Sequence, residues 1–131
     1  MKTERTTKYS SAVASYMKQV GHASNAQILD YLHESYPDVS ATTVHRITAR
    51  MLERGELVAA PATRGNAVRF DANKQPHDHF QCTNCDRLRD VDLLGDVLDS
   101  LENMVGDCDI NGRINVQGAC SNCMKKEDKS T

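Results

Sequence analysis

Tryptophan is missing from the 131 residues, and aromatic side chains make up only 5% of them, so any core is built from Leu, Val, Ile, Met and Ala. Long apolar runs are missing too. The longest unbroken one is the stretch 57–60, against the roughly 18 to 20 residues of a membrane-spanning helix. No apolar segment follows the charged start Met1-Lys2-Thr3-Glu4-Arg5, so the chain is expected to be neither membrane-inserted nor exported, and to work in the cytoplasm. No internal repeat of useful length occurs. What remains, 39% apolar and 26% charged residues, excludes a chain disordered throughout. At this length it forms one ordinary domain or two small ones. Two small ones would each bury too little surface to stand alone without a staple or a partner subunit.

A large net charge is absent as well, the formal value being −2, but that figure conceals an asymmetry. Residues 1–70 hold nine Lys/Arg and six Asp/Glu, giving +3, whereas residues 71–131 hold seven and twelve, giving −5. Unless this is chance variation among solvated faces, the first half alone suits a polyanion such as DNA.

The apolar spacing predicts three helices in the first half. Ala12, Val13, Tyr16, Met17 and Val20 define the first, which Gly21 stops. Ser24 and Gln27 have the form of a capping box, followed by Ile28, Leu29 and Leu32 on one face of a second helix running to about Ser35. Pro37 breaks the chain, Ser40 caps again, and Val44, Ile47, Met51 and Leu52 mark the buried side of a third helix ending at Gly55. Its outward side carries Thr42, Thr43, His45, Arg46 and Arg50. Extended stretches at 57–60 and 67–71 flank a turn-forming segment tipped by Arg64. Three helices and a hairpin make a winged helix-turn-helix, in which the last helix enters the major groove and the hairpin touches the backbone. His22 falls in the turn before the second helix.

The fold class expected is therefore α+β, an N-terminal winged helix-turn-helix domain followed by a small α/β domain. The boundaries read from the sequence are 1–72 for the first domain, 73–76 for a polar hinge, 77–124 for the second domain and 125–131 for a disordered tail. In the second domain Phe80 and Cys82 alternate with polar neighbours, and Leu88 and Val91 flank a short strand. Leu93, Leu94, Val97, Leu98, Leu101, Met104 and Val105 form a helical stripe closed by Gly106, and Ile110, Ile114 and Val116 suggest a last strand.

Without a secretory leader, five cysteines are better read as metal ligands than as disulfides. Cys82-x-x-Cys85 and Cys120-x-x-Cys123 each offer two thiolates, and four thiolates suit a closed, tetrahedral, structural zinc site. Four buried thiols or two redox pairs are the other reading. Cys108 is left over. Ahead of the first pair, His77 and His79 lie two apart on an extended segment. Both rings therefore project from one face while Asp78 points away. With Asp71 and Asp90 nearby, these imidazoles and carboxylates suit Fe(II), Mn(II) or Zn(II), if they are not simply solvated.

In combination, Ser40-Ala41-Thr42-Thr43-Val44-His45-Arg46, Arg69-Phe70-Asp71, His77-x-His79, Cys82/Cys85, Asp90 and Gly118-Ala119-Cys120-x-x-Cys123 resemble the ferric uptake regulator family of metal-dependent repressors, from about Thr6 to Cys123. That resemblance implies no enzymatic activity, but a homodimeric repressor on a palindromic double-stranded operator. It implies a regulatory metal held by His22, Asp71, His77, His79 and Asp90, and structural zinc on Cys82, Cys85, Cys120 and Cys123. DNA contacts would come from Thr42, Thr43, His45, Arg46, Arg50 and Arg64, although each of these is also an ordinary surface residue. His33 matches no ligand position and is read as surface.

Asp rather than Glu at position 90 is closer to the peroxide-responsive branch, which implies Fe(II) or Mn(II) as co-repressor and oxidation of a ligand histidine, His22 or His79, by peroxide. An iron- or zinc-uptake repressor with the same sites is the alternative. Pro76, Asn111 and Gly112 stand where a further family metal site would need histidines, so two ions per subunit are expected. His45 stands where members often have Tyr, which implies an altered operator preference. A non-haem iron enzyme is disfavoured, because five protein ligands leave little open coordination. A zinc-stapled interaction module that never touches DNA is the third reading.

Overall fold

The computed structural model describes residues 2–106 and 108–124, with side chains from residue 8 onward. The chain divides into two compact units, residues 1–74 and 75–131. The tail expected to be disordered, 125–131, lies outside the described residues.

The first unit opens with α1 (Lys2–Val20), which begins well before its apolar stripe because Lys, Glu and Arg are good helix formers. Gly21, at φ +81, turns the chain out of that helix, its amide still donating to the Met17 carbonyl at 2.8 Å. The next residues are a correction to the sequence reading. His22 does not lie in a turn but opens a strand, β1 (His22–Ser24). Three residues are too few to show alternation. The strand exists through its partner β3 (Arg69–Asp71), on which His22 faces Asp71 across an antiparallel ladder. On the other side of β3 runs β2 (Val58–Ala60), giving the order β1-β3-β2.

The capping box forms as expected. The Ser24 hydroxyl accepts from the Gln27 amide at 3.3 Å, and the Gln27 side chain accepts from the Ser24 amide at 2.9 Å. It starts α2 (Asn25–His33), which is shorter than the stretch to Ser35 read from the sequence. Ser40 likewise caps α3 (Ala41–Glu53). One apolar cluster joins Val13 and Met17 of α1, Ile28 and Leu32 of α2, and Val44, Ile47 and Met51 of α3 to Leu57 and Phe70. Helices α1 to α3 with the β2/β3 hairpin form a winged helix.

The second unit has β4 (Asp78–Cys82) at the centre of a sheet ordered β5-β4-β6, with β5 (Leu88–Val91) antiparallel and β6 (Asn115–Gly118) parallel to it. Helix α4 (Leu94–Val105) intervenes, and a helical turn at 121–124 follows Cys120. The last strand is shorter than the pattern suggested, with Ile110 and Ile114 preceding it. Of the α4 stripe, Leu94 is buried, whereas Val97, Met104 and Val105 are exposed, as is Val116 on β6. Among the described residues no helix is long and apolar enough to cross a membrane.

Candidate metal centres

The two Cys-x-x-Cys pairs meet as a cluster whose sulfurs all lie within 4.8 Å of one another. Cys82 ends β4 and Cys120 follows β6, so the parallel β4/β6 ladder, with Cys82 opposite Gly118, brings the pairs together. Cys82 Sγ lies 3.6 Å from Cys123 Sγ, and Cys85 Sγ 3.8 Å from Cys120 Sγ. Four sulfurs about 2.3 Å from a tetrahedral ion lie about 3.8 Å apart, so the cluster has the dimensions of a structural zinc site.

The amides of Cys85 and Cys120 donate to Cys82 Sγ at 3.4 and 3.3 Å. With the Cys85 amide contributing most, they bring the Cys82 thiol down to about 5, against the opposing effect of burial. Hydrogen bonds from the Cys123 amide and thiol lower Cys120 as well. Not all four can ionise without a cation. Hydrogen bonding to Cys120 and then to Cys82 pushes Cys123 up to about 12. A divalent cation removes that conflict.

The candidate regulatory ligands occupy two places, one in each unit. In the first, the β1/β3 ladder sets His22 Nε2 3.4 Å from Asp71 Oδ2, and the other Asp71 oxygen accepts from the Asn73 amide at 2.8 Å. Asp71 is 1% exposed. A carboxylate so deeply enclosed is costly unless hydrogen bonds or a cation compensate it. In the second unit, His77 Nε2 and His79 Nε2 converge to 3.0 Å, and Asp90 Oδ1 lies 3.4 and 3.5 Å from them. The β4/β5 register places Asp90 opposite His79. Ligands about 2.1 Å from one ion lie about 3.0 Å apart at right angles and about 3.4 Å apart at the tetrahedral angle, so three donor atoms already have coordination spacing. His77 Nδ1 lies 2.6 Å from the Gln75 carbonyl. Donation to it leaves Nε2 as the atom for a metal. Imidazole with carboxylate suits Fe(II) or Mn(II), and thiolate suits zinc.

On the DNA-reading candidates, Thr42, His45, Arg46 and Arg50 are exposed along α3, and Arg64 is exposed in the loop between β2 and β3. Thr43 is half-buried, its amide and hydroxyl both engaged with Ser40 Oγ, at 3.1 and 3.0 Å. His33 is exposed, as read from the sequence, but its Nε2 lies 2.8 Å from the Val39 carbonyl and ties α2 to the approach to α3.

Three supporting residues were given no role by the sequence, although Asp78 was read there as pointing away from the histidines. Thr48, buried on α3, donates to Asn25 Oδ1 at 2.7 Å and so fastens α3 to the start of α2. Gln81 accepts from Asn115 and Gln117 of β6. Asp78 is completely buried. Its carboxylate accepts from the amides of Leu93, Leu94 and Ile114 at 2.7, 2.8 and 2.9 Å and pairs with Arg113 Nε at 3.1 Å. Burial alone would raise this acid, but the three amides and the guanidinium outweigh it and hold it at about 2. The signal available was its place between two histidines on a strand, which turns it to the opposite face.

Known proteins are similar to this chain in sequence and fold. The model of the ferric uptake regulator family matches residues 2–107. The chain is 27% identical to the peroxide operon regulator of Bacillus subtilis (strain 168) over 131 residues, covering 95% of this chain and 87% of that one. Its fold is similar to the ferric uptake regulator of Helicobacter pylori, with a TM-score of 0.74 at 17% identity, covering 89% of this chain and 80% of that one. It is also similar to the peroxide stress regulator of Campylobacter jejuni, with a TM-score of 0.68 at 21% identity and 91% of each chain covered. With the family model matched over most of its length, and with a winged helix, a four-thiol cluster and histidine–carboxylate donors present, this chain belongs to the ferric uptake regulator family, whose members are metal-responsive regulators of transcription rather than enzymes.

Proposed function

We propose that this chain is a homodimeric, cytoplasmic repressor that senses peroxide, with Fe(II) or Mn(II) as co-repressor and one structural zinc on Cys82, Cys85, Cys120 and Cys123. A zinc uptake regulator of similar fold is known in complex with zinc and DNA. Residues 1–72 form the DNA-binding part, 73–76 the hinge and 77–124 the dimerisation part, which pairs through the exposed apolar face of α4 and β6. The third helix presents Thr42, Thr43, His45, Arg46 and Arg50 to the major groove and Arg64 reaches the backbone, so two-fold symmetry calls for a palindromic operator.

The residues that would hold the one regulatory ion are His22, Asp71, His77, His79 and Asp90, and the two carboxylates would neutralise its charge. Release of those ligands frees the hinge, and the two third helices then rarely match the spacing of the half-sites. A complete switch needs the ion to prefer the DNA-ready arrangement by about 10⁴-fold, about 5.5 kcal/mol. Fe(II) held by these residues would supply one-electron reducing chemistry toward peroxide, which Mn(II) would not. His22 and His79 are the ligands whose oxidation ends DNA binding.

The observation that carries the peroxide reading is Asp at position 90, its Oδ1 3.4 and 3.5 Å from the two imidazoles, where uptake regulators tend to carry Glu. The test begins with duplexes selected from a random pool by the Mn(II)-loaded chain. Fluorescence anisotropy then follows binding of the Fe(II)- and Mn(II)-loaded forms after peroxide. Loss in the Fe(II) form alone is expected. Persistence in both supports the alternative, an iron- or zinc-uptake repressor. DNA binding indifferent to metal overturns both. His22→Ala is expected to stay a folded, zinc-containing dimer that has lost its metal-dependent binding.

A further inference from the structure

Between His77 and His79 the chain places a carboxylate that neither faces them nor meets solvent. Asp78 lies on the other side of β4, fully buried, and its two oxygens collect five donors. Oδ2 takes the Leu93 and Leu94 amides, which open α4, at 2.7 and 2.8 Å. This supplies the cap that Leu93, at the N-cap position, lacks a side-chain hydrogen bond to provide. Oδ1 takes the Ile114 amide at 2.9 Å. Arg113 spans both, with Nε 3.1 Å from Oδ1 and Nη2 3.3 Å from Oδ2, a two-pronged grip that only a guanidinium offers. The chain then returns to the candidate ligands, since the Ile114 carbonyl accepts from the His79 amide at 3.0 Å. Asp78 and His79, adjacent on β4, are thus both fastened to the Arg113-Ile114 segment, one by side chain and one by backbone.

We infer that Arg113 is a positioning residue for the regulatory metal. By gripping Asp78 and carrying Ile114 against His79, it fixes the pleat of β4 and so the approach of His77 Nε2 to His79 Nε2. A site's donor atoms must be held within about 0.5 Å of the productive arrangement, and two rings at alternate strand positions cannot keep their separation if the residue between them shifts. The inference rests on the proposed assignment of His77, His79 and Asp90 as ligands.

The test uses the full-length, zinc-loaded chain and Mn(II) as probe, with affinity measured by calorimetry and coordination by electron paramagnetic resonance. Only samples whose zinc content and circular dichroism equal those of the unsubstituted chain are compared. Arg113→Met keeps an unbranched stem and leaves Asp78 its three amides. It is expected to weaken Mn(II) by about 10- to 100-fold, the usual effect of removing an outer supporting group, and to alter the Mn(II) spectrum. Arg113→Lys keeps the charge but not the fork, and is expected to fall between. If Arg113→Met does not retain zinc, Arg113→Lys decides, with Mn(II) binding like that of the unsubstituted chain counting against the inference. His77→Ala separates the two ideas. If it abolishes Mn(II) binding while both Arg113 variants bind normally, the positioning role is overturned and the ligand assignment stands. If it leaves Mn(II) binding unchanged, the ligand assignment fails and the inference with it.

Discussion

Residues 8–74 bury Val13, Met17, Ile28, Leu32, Val44 and Ile47 in one apolar cluster, whereas in 75–124 the buried apolar side chains among the described residues are Leu94 and the thiols Cys82 and Cys120. The buried polar side chains of that second unit are Asp78, His79 and Gln81. One unit therefore rests on the packing of apolar helix faces, and the other on a thiol cluster suited to a metal and on a buried ion pair, with Val97, Met104, Val105 and Val116 left exposed. Small units that cannot bury enough apolar area are expected to use a metal and oligomerisation instead. On the proposed reading the same difference would divide the labour, the unit with the apolar cluster reading DNA and the unit with the thiol cluster depending on its ion and its partner for stability.

The sharpest way to break this comparison is to remove zinc. Cys120→Ser, or a strong chelator, is expected to withdraw on the order of 10 kcal/mol from the second unit. Backbone amide resonances of 77–124 should collapse while those of α2 and α3 persist. Equal loss in both halves would mean that the apolar cluster does not suffice for the first. Next in size is Asp78→Ala, which strands three backbone amides and the Arg113 guanidinium. Breaking a buried, hydrogen-bonded ion pair from one side costs about 3–5 kcal/mol, and the urea midpoint of the second unit should fall accordingly. Leu32→Ala is the counterpart in the first unit. Leu32 is 1% exposed, and a void of that kind costs about 2–5 kcal/mol. Zinc content by mass spectrometry should not change.

The same contrast explains how much the sequence disclosed. The first unit was readable because its helices obey the 3.6-residue period and carry side-chain caps at Ser24 and Ser40, so each local signal agrees with the tertiary answer. Strand β1 was not, since His22, Ala23 and Ser24 acquire extended structure only from β3, more than forty residues away. In the second unit the cysteine spacing announced the cluster. The stripe of α4 gave a helix but not its burial, since the 3.6-residue period does not say which of its residues are enclosed, and Met104 is 81% exposed. The hidden role of Asp78 needed the registers of three separate segments. The donor atoms of His77, His79 and Asp90 could be named from the sequence, but not their 3.0 to 3.5 Å spacing, which comes from the β4/β5 register.

The smallest expected effect tests whether the first unit, with its apolar cluster, also sets the position of His22, the proposed metal ligand. Ser24 closes β1 and caps α2, so one side chain governs both the strand that carries His22 and the helix packed behind α3. Ser24→Ala removes the acceptor of the Gln27 amide and is expected to cost about 1 kcal/mol, whereas Ser24→Gly costs only a few tenths. In a unit of this size 1 kcal/mol lowers Tm by about 4–8 °C, which calorimetry resolves while zinc stays bound. If stability were the whole effect, Mn(II) affinity measured well below Tm would be the same in Ser24→Ala as in the unsubstituted chain. A weaker Mn(II) site would instead show that the ladder between His22 and Asp71 depends on the helix that follows it, and that the apolar half contributes more than two donor atoms to the switch.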